Sequence, residues 1–158
     1  MCATAHIAVS ATLGASKLPL PVTTLLSFLL HYLLDLAPHV DEADLFEDGR
    51  PRSALATFVL GLDIGFGLAL TIPEVRRLKG RRAASKAALC ALAGLLPDVL
   101  DNVPAVKRAL RRSSIVAKGE ALHQRLQAGR WARKVGVLDQ IALVLLALRA
   151  LSVRGRGE

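Results

Sequence analysis

The stretch His31-Tyr-Leu-Leu-Asp35-Leu-Ala-Pro38-His39-Val-Asp41 gathers two imidazoles and two carboxylates into an otherwise apolar part of the chain. His31 and Asp35 are four positions apart, so on a helix they stand one above the other on the same side, close enough to share one ion. Pro38 ends or kinks such a helix and gives the chain a reason to turn His39 and Asp41 back over that side. Imidazole and carboxylate together suit zinc, manganese or iron. The plainer alternative is a satisfied helix histidine at 31, a helix-terminal charge at 35 and solvated loop residues at 39 and 41. The sequence leaves both readings open.

Other ionisable groups are scattered. Asp63 lies midway through the cleanest apolar run, where an unpaired carboxylate is costly and seeks a polar cavity or a partner. It is a candidate general base or supporting partner to a metal, or else a hydrogen bond to a neighbouring helix. Gly94-Leu-Leu-Pro97-Asp98 closes a short apolar stretch and supplies Asp98, with Asp101 three residues on; a polar helix stop is the alternative there. His123 falls in a basic segment and His6 in the first apolar stretch, and each taken alone reads as an ordinary surface or packing residue. Cys90, Trp131 and Asp139 read as packing or interface residues. Cys2 and Cys90 have neither CxxC nor zinc-ribbon spacing and read as unpaired small apolar residues.

These groups need elements to position them. Of the 158 residues, 53% are hydrophobic, mean hydropathy is +0.42 and only 4% are aromatic. An apolar content of mostly Leu, Ala and Val favours helices over strands. The length suits a single domain, 1–158. Ala3–Ser16 is mildly apolar and ends near Lys17, Pro19 and Pro21. Val22–Ala37 and Ser53–Ile72 are strong membrane candidates, the second about the ~20 residues that an apolar helix needs to cross. Ala87–Leu96 is half that length and runs into Pro97, so a short, partly inserted or protein-buried helix is expected. Residues 107–134 have apolar positions at helical intervals and suit an amphipathic surface helix. Val135–Val153 is a third spanning candidate. The expected fold is therefore all-α: a small membrane bundle with about three spanning helices plus shorter partly inserted or interfacial ones.

Charge is segregated along the chain. Residues 1–75 carry 3 Lys/Arg against 8 Asp/Glu, and residues 76–158 carry 18 against 5. The basic residues crowd into short connections with few aromatics to stack on bases, so membrane lipid headgroups suit the pattern and nucleic acid does not. No basic region precedes the first apolar run, so membrane entry is expected to use internal apolar segments. The positive-inside tendency makes residues 74–86 cytoplasmic and places the acidic loop 41–52 on the opposite face, although the basic segment 107–134 then falls on the outer side if 87–96 crosses. Up-and-down connectivity brings His6 to the level of His31, Asp35 and His39, and delivers Asp63 and Asp98 to the same end.

HxxxDxxPHxD on an apolar helix, a later GLLPD and a further His resemble the bacterial and archaeal family labelled membrane-bound metal-dependent hydrolases (YdjM-like), loosely likened to zinc-dependent phospholipase C. The order of elements is similar over most of the chain. Leu30 stands where the family pattern often has Ser, with Ser27 one turn earlier. The resemblance implies a metal site of His31, Asp35, His39, Asp98 and His123. It implies an integral protein of a prokaryotic inner membrane that binds a divalent metal, zinc by preference, and hydrolyses an ester or phosphodiester, lipid included. The rival expectations are a non-enzymatic ion or proton carrier and a structural membrane protein in which the same groups are only hydrogen bonds between helices.

Overall fold

The computed structural model describes residues 3–35, 54–102 and 130–155, together with isolated positions between 108 and 121. Every regular element among them is a helix: α1 (Ala3–Gly14), α2 (Leu20–Leu34), α3 (Ala54–Asn102) and α4 (Arg130–Gly155).

α1 is short, uncharged and rich in Ala, and it is buried on nearly every side, which makes it the centre of the bundle. α2 begins at a proline pair, Pro19 and Pro21, tolerated because the first helical turn has no use for those N–H groups. It ends at Asp35, whose backbone N–H donates to the carbonyls of His31 and Leu33. α3 is broken at Gly80, which adopts φ 84°, a left-handed value that glycine reaches without a Cβ penalty. The break divides α3 into two antiparallel limbs.

The packing fixes the directions. Thr4 faces Asp63 and Gly67, and Ile7 also faces Gly67, so α1 runs with the first limb. Gly14 lies against Ala87 and Cys90, and Ser10 against Gly94, so α1 runs against the second limb. α2 follows the second limb: Lys86 Nζ donates to the carbonyls of Ser16 (2.8 Å) and Leu18 near its start, and His31 meets Gly94 near its end. α4 runs with α1, held by a bond from Thr12 Oγ1 to the Ala147 carbonyl (3.3 Å). The start of α1, the end of α2, both outer ends of α3 and the start of α4 thus share one end of the bundle. Lys17, Arg76, Arg77, Lys79, Arg81, Arg82 and Lys86 gather at the other.

The sequence expectations hold for helical class and are corrected in three places. Among the described residues two stretches, within Thr57–Asp98 and Gly136–Val153, are long and apolar enough to cross a membrane, whereas about three spans were expected. Of the first expected span, residues 22–34 lie in the 15-residue α2, which is about 22 Å long and well short of a ~30 Å hydrocarbon layer; residues 36–37 lie outside the described ones. Second, the first limb passes through Pro73 and continues to the break at Gly80, beyond the boundary expected at Ile72. Third, Pro97 does not stop the second limb, which continues to Asn102; its inner face of Ala84, Ala87, Cys90, Ala91 and Leu95 is buried against α1, and that burial outweighs one lost backbone bond. Cys90 is a free, buried thiol, and Cys2 lies outside the described residues.

Polarity is turned outside in. The only buried residues of α2 are Thr23, Ser27 and His31, continued by Asp35, while Leu25, Leu29 and Leu33 are exposed by 59%, 52% and 60%. Only 17% and 22% of the two long apolar windows are buried within the bundle, which sets them apart from the core helices of a water-soluble protein.

Candidate metal centre

Four polar residues spaced by four, Thr23, Ser27, His31 and Asp35, line the inner side of α2. His31 and Asp35 are the end of that row, and α1 and the second limb of α3 close over them. The His31 ring is fixed by the Gly94 carbonyl, 2.8 Å from Nδ1. A carbonyl only accepts, so Nδ1 carries a proton, and in the neutral ring Nε2 is the nitrogen left with a lone pair. Pro97 locally opens the backbone ladder beside Gly94. Gly94 also permits the close approach of α1, since a Cβ there would stand 2.2 Å from Ser10 Oγ.

His31 Nε2 lies 3.1 Å from Asp35 Oδ2 and 3.5 Å from Asp98 Oδ1. His6 Nε2 lies 3.2 Å from the other Asp35 oxygen, Oδ1. The two imidazoles stack, with centroids 4.2 Å apart and planes inclined by 22°. One atom from each of His6, His31 and Asp98 falls within 4.8 Å of the others. His6, His31 and Asp35 are sealed from solvent, whereas the Asp98 side chain is 42% exposed and marks the mouth.

Both ring nitrogens of His6 are buried without a full hydrogen bond, although Nε2 lies 3.2 Å from Asp35 Oδ1. His31 Nε2, by contrast, has the Asp35 carboxylate as its partner and faces Asp98 as well. Nitrogen lone pairs and carboxylate oxygens converging on one buried spot repel unless a proton or a metal cation lies among them. Protonating both rings would stack two like charges at 4.2 Å. A metal ion would serve equally, since His6, His31 and Asp98 each offer a ligand atom close enough to share one.

Of the residues singled out in the sequence, the structure brings His31, Asp35 and Asp98 together. His39, Asp41 and His123 lie outside the described residues, as does the side chain of Asp101. Asp63 is not brought to the cluster: it sits across α1, where Thr4 Oγ1 donates to Oδ1 at 2.6 Å and Thr4 N–H to Oδ2 at 3.3 Å. It thereby caps the start of the helix that carries His6. His6 is the member that residue spacing missed. Twenty-five positions separate it from His31, and only connectivity placed it at the right level.

No family model, curated protein or solved structure matches the chain.

Proposed function

We propose that the chain is an integral membrane protein of a prokaryotic inner membrane, holding one divalent ion, zinc by preference, among His6, His31, Asp35 and Asp98, and hydrolysing an ester or phosphodiester of a lipid. The observation that carries the reading is the pair of buried imidazole nitrogens aimed at shared carboxylates, with His6 unpartnered. A bound ion of this kind lowers the pKa of a water and polarises an ester or phosphoryl oxygen.

The chain's own residues do the rest. The Gly94 carbonyl selects the His31 tautomer that leaves Nε2 free to bind. Asp35 presents one oxygen to each imidazole, at 3.2 Å from His6 and 3.1 Å from His31. Asp98 is the ligand that an incoming headgroup reaches first, because the site opens past it at one end of the bundle. Asp63 acts through Thr4 as a positioning residue for His6. The outward leucines of α2 and the two long apolar helices support a lipid surround that keeps the inner polar row dry.

A carrier of ions or protons is the second reading, favoured by one observation: the polar row continues inward through Ser27, whose hydroxyl is buried without a partner. Flux across protein-loaded liposomes with no hydrolysis of lipid esters would select it.

The test is metal per protein after detergent purification without chelator. About one equivalent is expected in the unmutated chain. His6→Ala, His31→Ala and Asp35→Ala should each remove most of it, and the His6→Ala/His31→Ala double variant should lose little more, as for residues acting as a unit. His39→Ala and His123→Ala belong in the series because the family likeness assigns both to the site. Unmutated protein without stoichiometric metal would end the proposal.

A further inference from the structure

α4 leans on α1 and scarcely touches α3, which leaves a groove of about 420 Å³ between α4 and the first limb of α3. Its walls are apolar, with Phe66 and Leu70 on one side and Val137, Ile141 and Leu145 on the other. Phe66, Ile141 and Leu145 are themselves exposed by 62%, 51% and 61%, so the groove opens sideways onto the apolar outer belt. One end is polar, formed by Thr4, Asp63 and Gln140. That end lies at the level of the metal cluster but on the opposite side of α1, since Thr4 and His6 are two positions apart on the helix. From Val137 to Leu148 the groove follows α4 for about 16 Å.

We propose that this groove binds one acyl chain of a glycerolipid, with the ester and headgroup region against Thr4, Asp63 and Gln140. Water gains nothing in a cleft with such walls, and an empty one forfeits dispersion contacts along its whole length. The medium that wets the surrounding leucines and phenylalanines is what reaches it, and a single extended chain matches its long, narrow, one-end-polar form. The Asp63 carboxylate uses one lone pair of each oxygen on Thr4 and keeps further acceptor capacity. The polar end therefore prefers a head that donates, such as ethanolamine, over choline, which has no N–H. The proposal rests on the membrane reading but is independent of the metal.

The experiment uses the full chain in lipid nanodiscs doped with phosphatidylethanolamine or phosphatidylcholine carrying a photoreactive group in one acyl chain. Adducts are mapped by mass spectrometry. Labelling at Phe66, Leu70, Ile141 and Leu145 should exceed, several-fold, that at Leu62 and Leu138, which are as exposed but lie outside the groove. The excess should be larger for ethanolamine, and Val144→Trp should abolish it while leaving Leu62 and Leu138 unchanged. A spin-labelled phosphatidylethanolamine gives a readout that needs no variant: about one motionally restricted lipid per protein.

Even labelling around both helices with no restricted lipid would mean bulk lipid only and overturn the groove. Equal excess for the two heads would overturn the role of its polar end. Protection of the groove while the belt labels would mean that protein fills it, either residues 103–129 or a second copy, and would also overturn the proposal. No labelling anywhere on the belt would remove the membrane reading beneath it.

Discussion

Gly94→Ala tests whether backbone contact between α1 and α3 sets the metal site. An added Cβ would lie 2.2 Å from Ser10 Oγ, 3.0 Å from Ser10 Cβ and 3.6 Å from the His6 carbonyl. The hydroxyl must swing away by more than about 1 Å to reach ordinary contact, and α1 must withdraw by a few tenths of an ångström. Such overpacking costs roughly 1–3 kcal/mol, offset by about 0.5–1 kcal/mol because alanine is the better helix residue. Net stability should fall by only about 0–2.5 kcal/mol. The metal site is less forgiving, since withdrawal of α1 carries His6 away from Asp35, now 3.2 Å distant. Metal affinity, measured by competition with a chromogenic chelator in detergent, should weaken about 10-fold to 100-fold. Ser10→Ala in the same background removes the worst contact and should recover most of the loss. Gly61→Ala, where a Cβ meets nothing within 4 Å, is the control and should bind metal normally. Undiminished affinity in Gly94→Ala, or a loss that Ser10→Ala leaves untouched, would refute the coupling.

The outward-facing leucines and the two long apolar helices predict that the protein stays with membranes after alkaline carbonate washing, and recovery in the soluble fraction without detergent would reject this. The Lys/Arg cluster at the Gly80 end predicts that single cysteines introduced at 76–82 are shielded from a membrane-impermeant thiol reagent in intact cells, while cysteines at 41–52 react; equal reaction at both would overturn the orientation. Asp63→Asn should lower thermal stability by about 1–3 kcal/mol through the weakened hold on Thr4, yet keep most of the bound metal, because Asp63 lies outside the cluster. Complete metal loss with an unchanged melting temperature would instead make Asp63 a ligand.

What the sequence made legible was local. The four-residue spacing of His31 and Asp35 needs only a helix to bring them together, and up-and-down connectivity was enough to deliver Asp98 to their level. His6 illustrates the limit, since whether it faces α2 or the lipid depends on the rotation of α1, which interhelical packing decides. Helix boundaries were misplaced for the same reason. Pro73 and Pro97 look like stops by propensity, but the buried small-residue face of the second limb holds the helix together through Pro97. The true break, Gly80, sits unobtrusively among lysines and arginines. The start of this segment was placed at Val22, after the prolines, whereas α2 begins at Leu20 with Pro21 inside its first turn.

The central position of α1 bears on how the protein is made. α1 precedes all of its neighbours in synthesis, yet its contacts reach 59 residues ahead, from Thr4 to Asp63, and 135 ahead, from Thr12 to Ala147. With a buried histidine, serine and threonine, α1 is poorly suited to lie alone in lipid, and α2 brings a polar row to face it. On the membrane reading proposed above, the two remain paired or shielded at the insertion machinery until the α3 hairpin arrives, and the last side of α1 closes only when α4 is complete. Such long-range closure makes assembly slow and dependent on the whole chain. A ribosome stalled between α3 and α4 would expose one flank of the central helix, a ready substrate for membrane quality control.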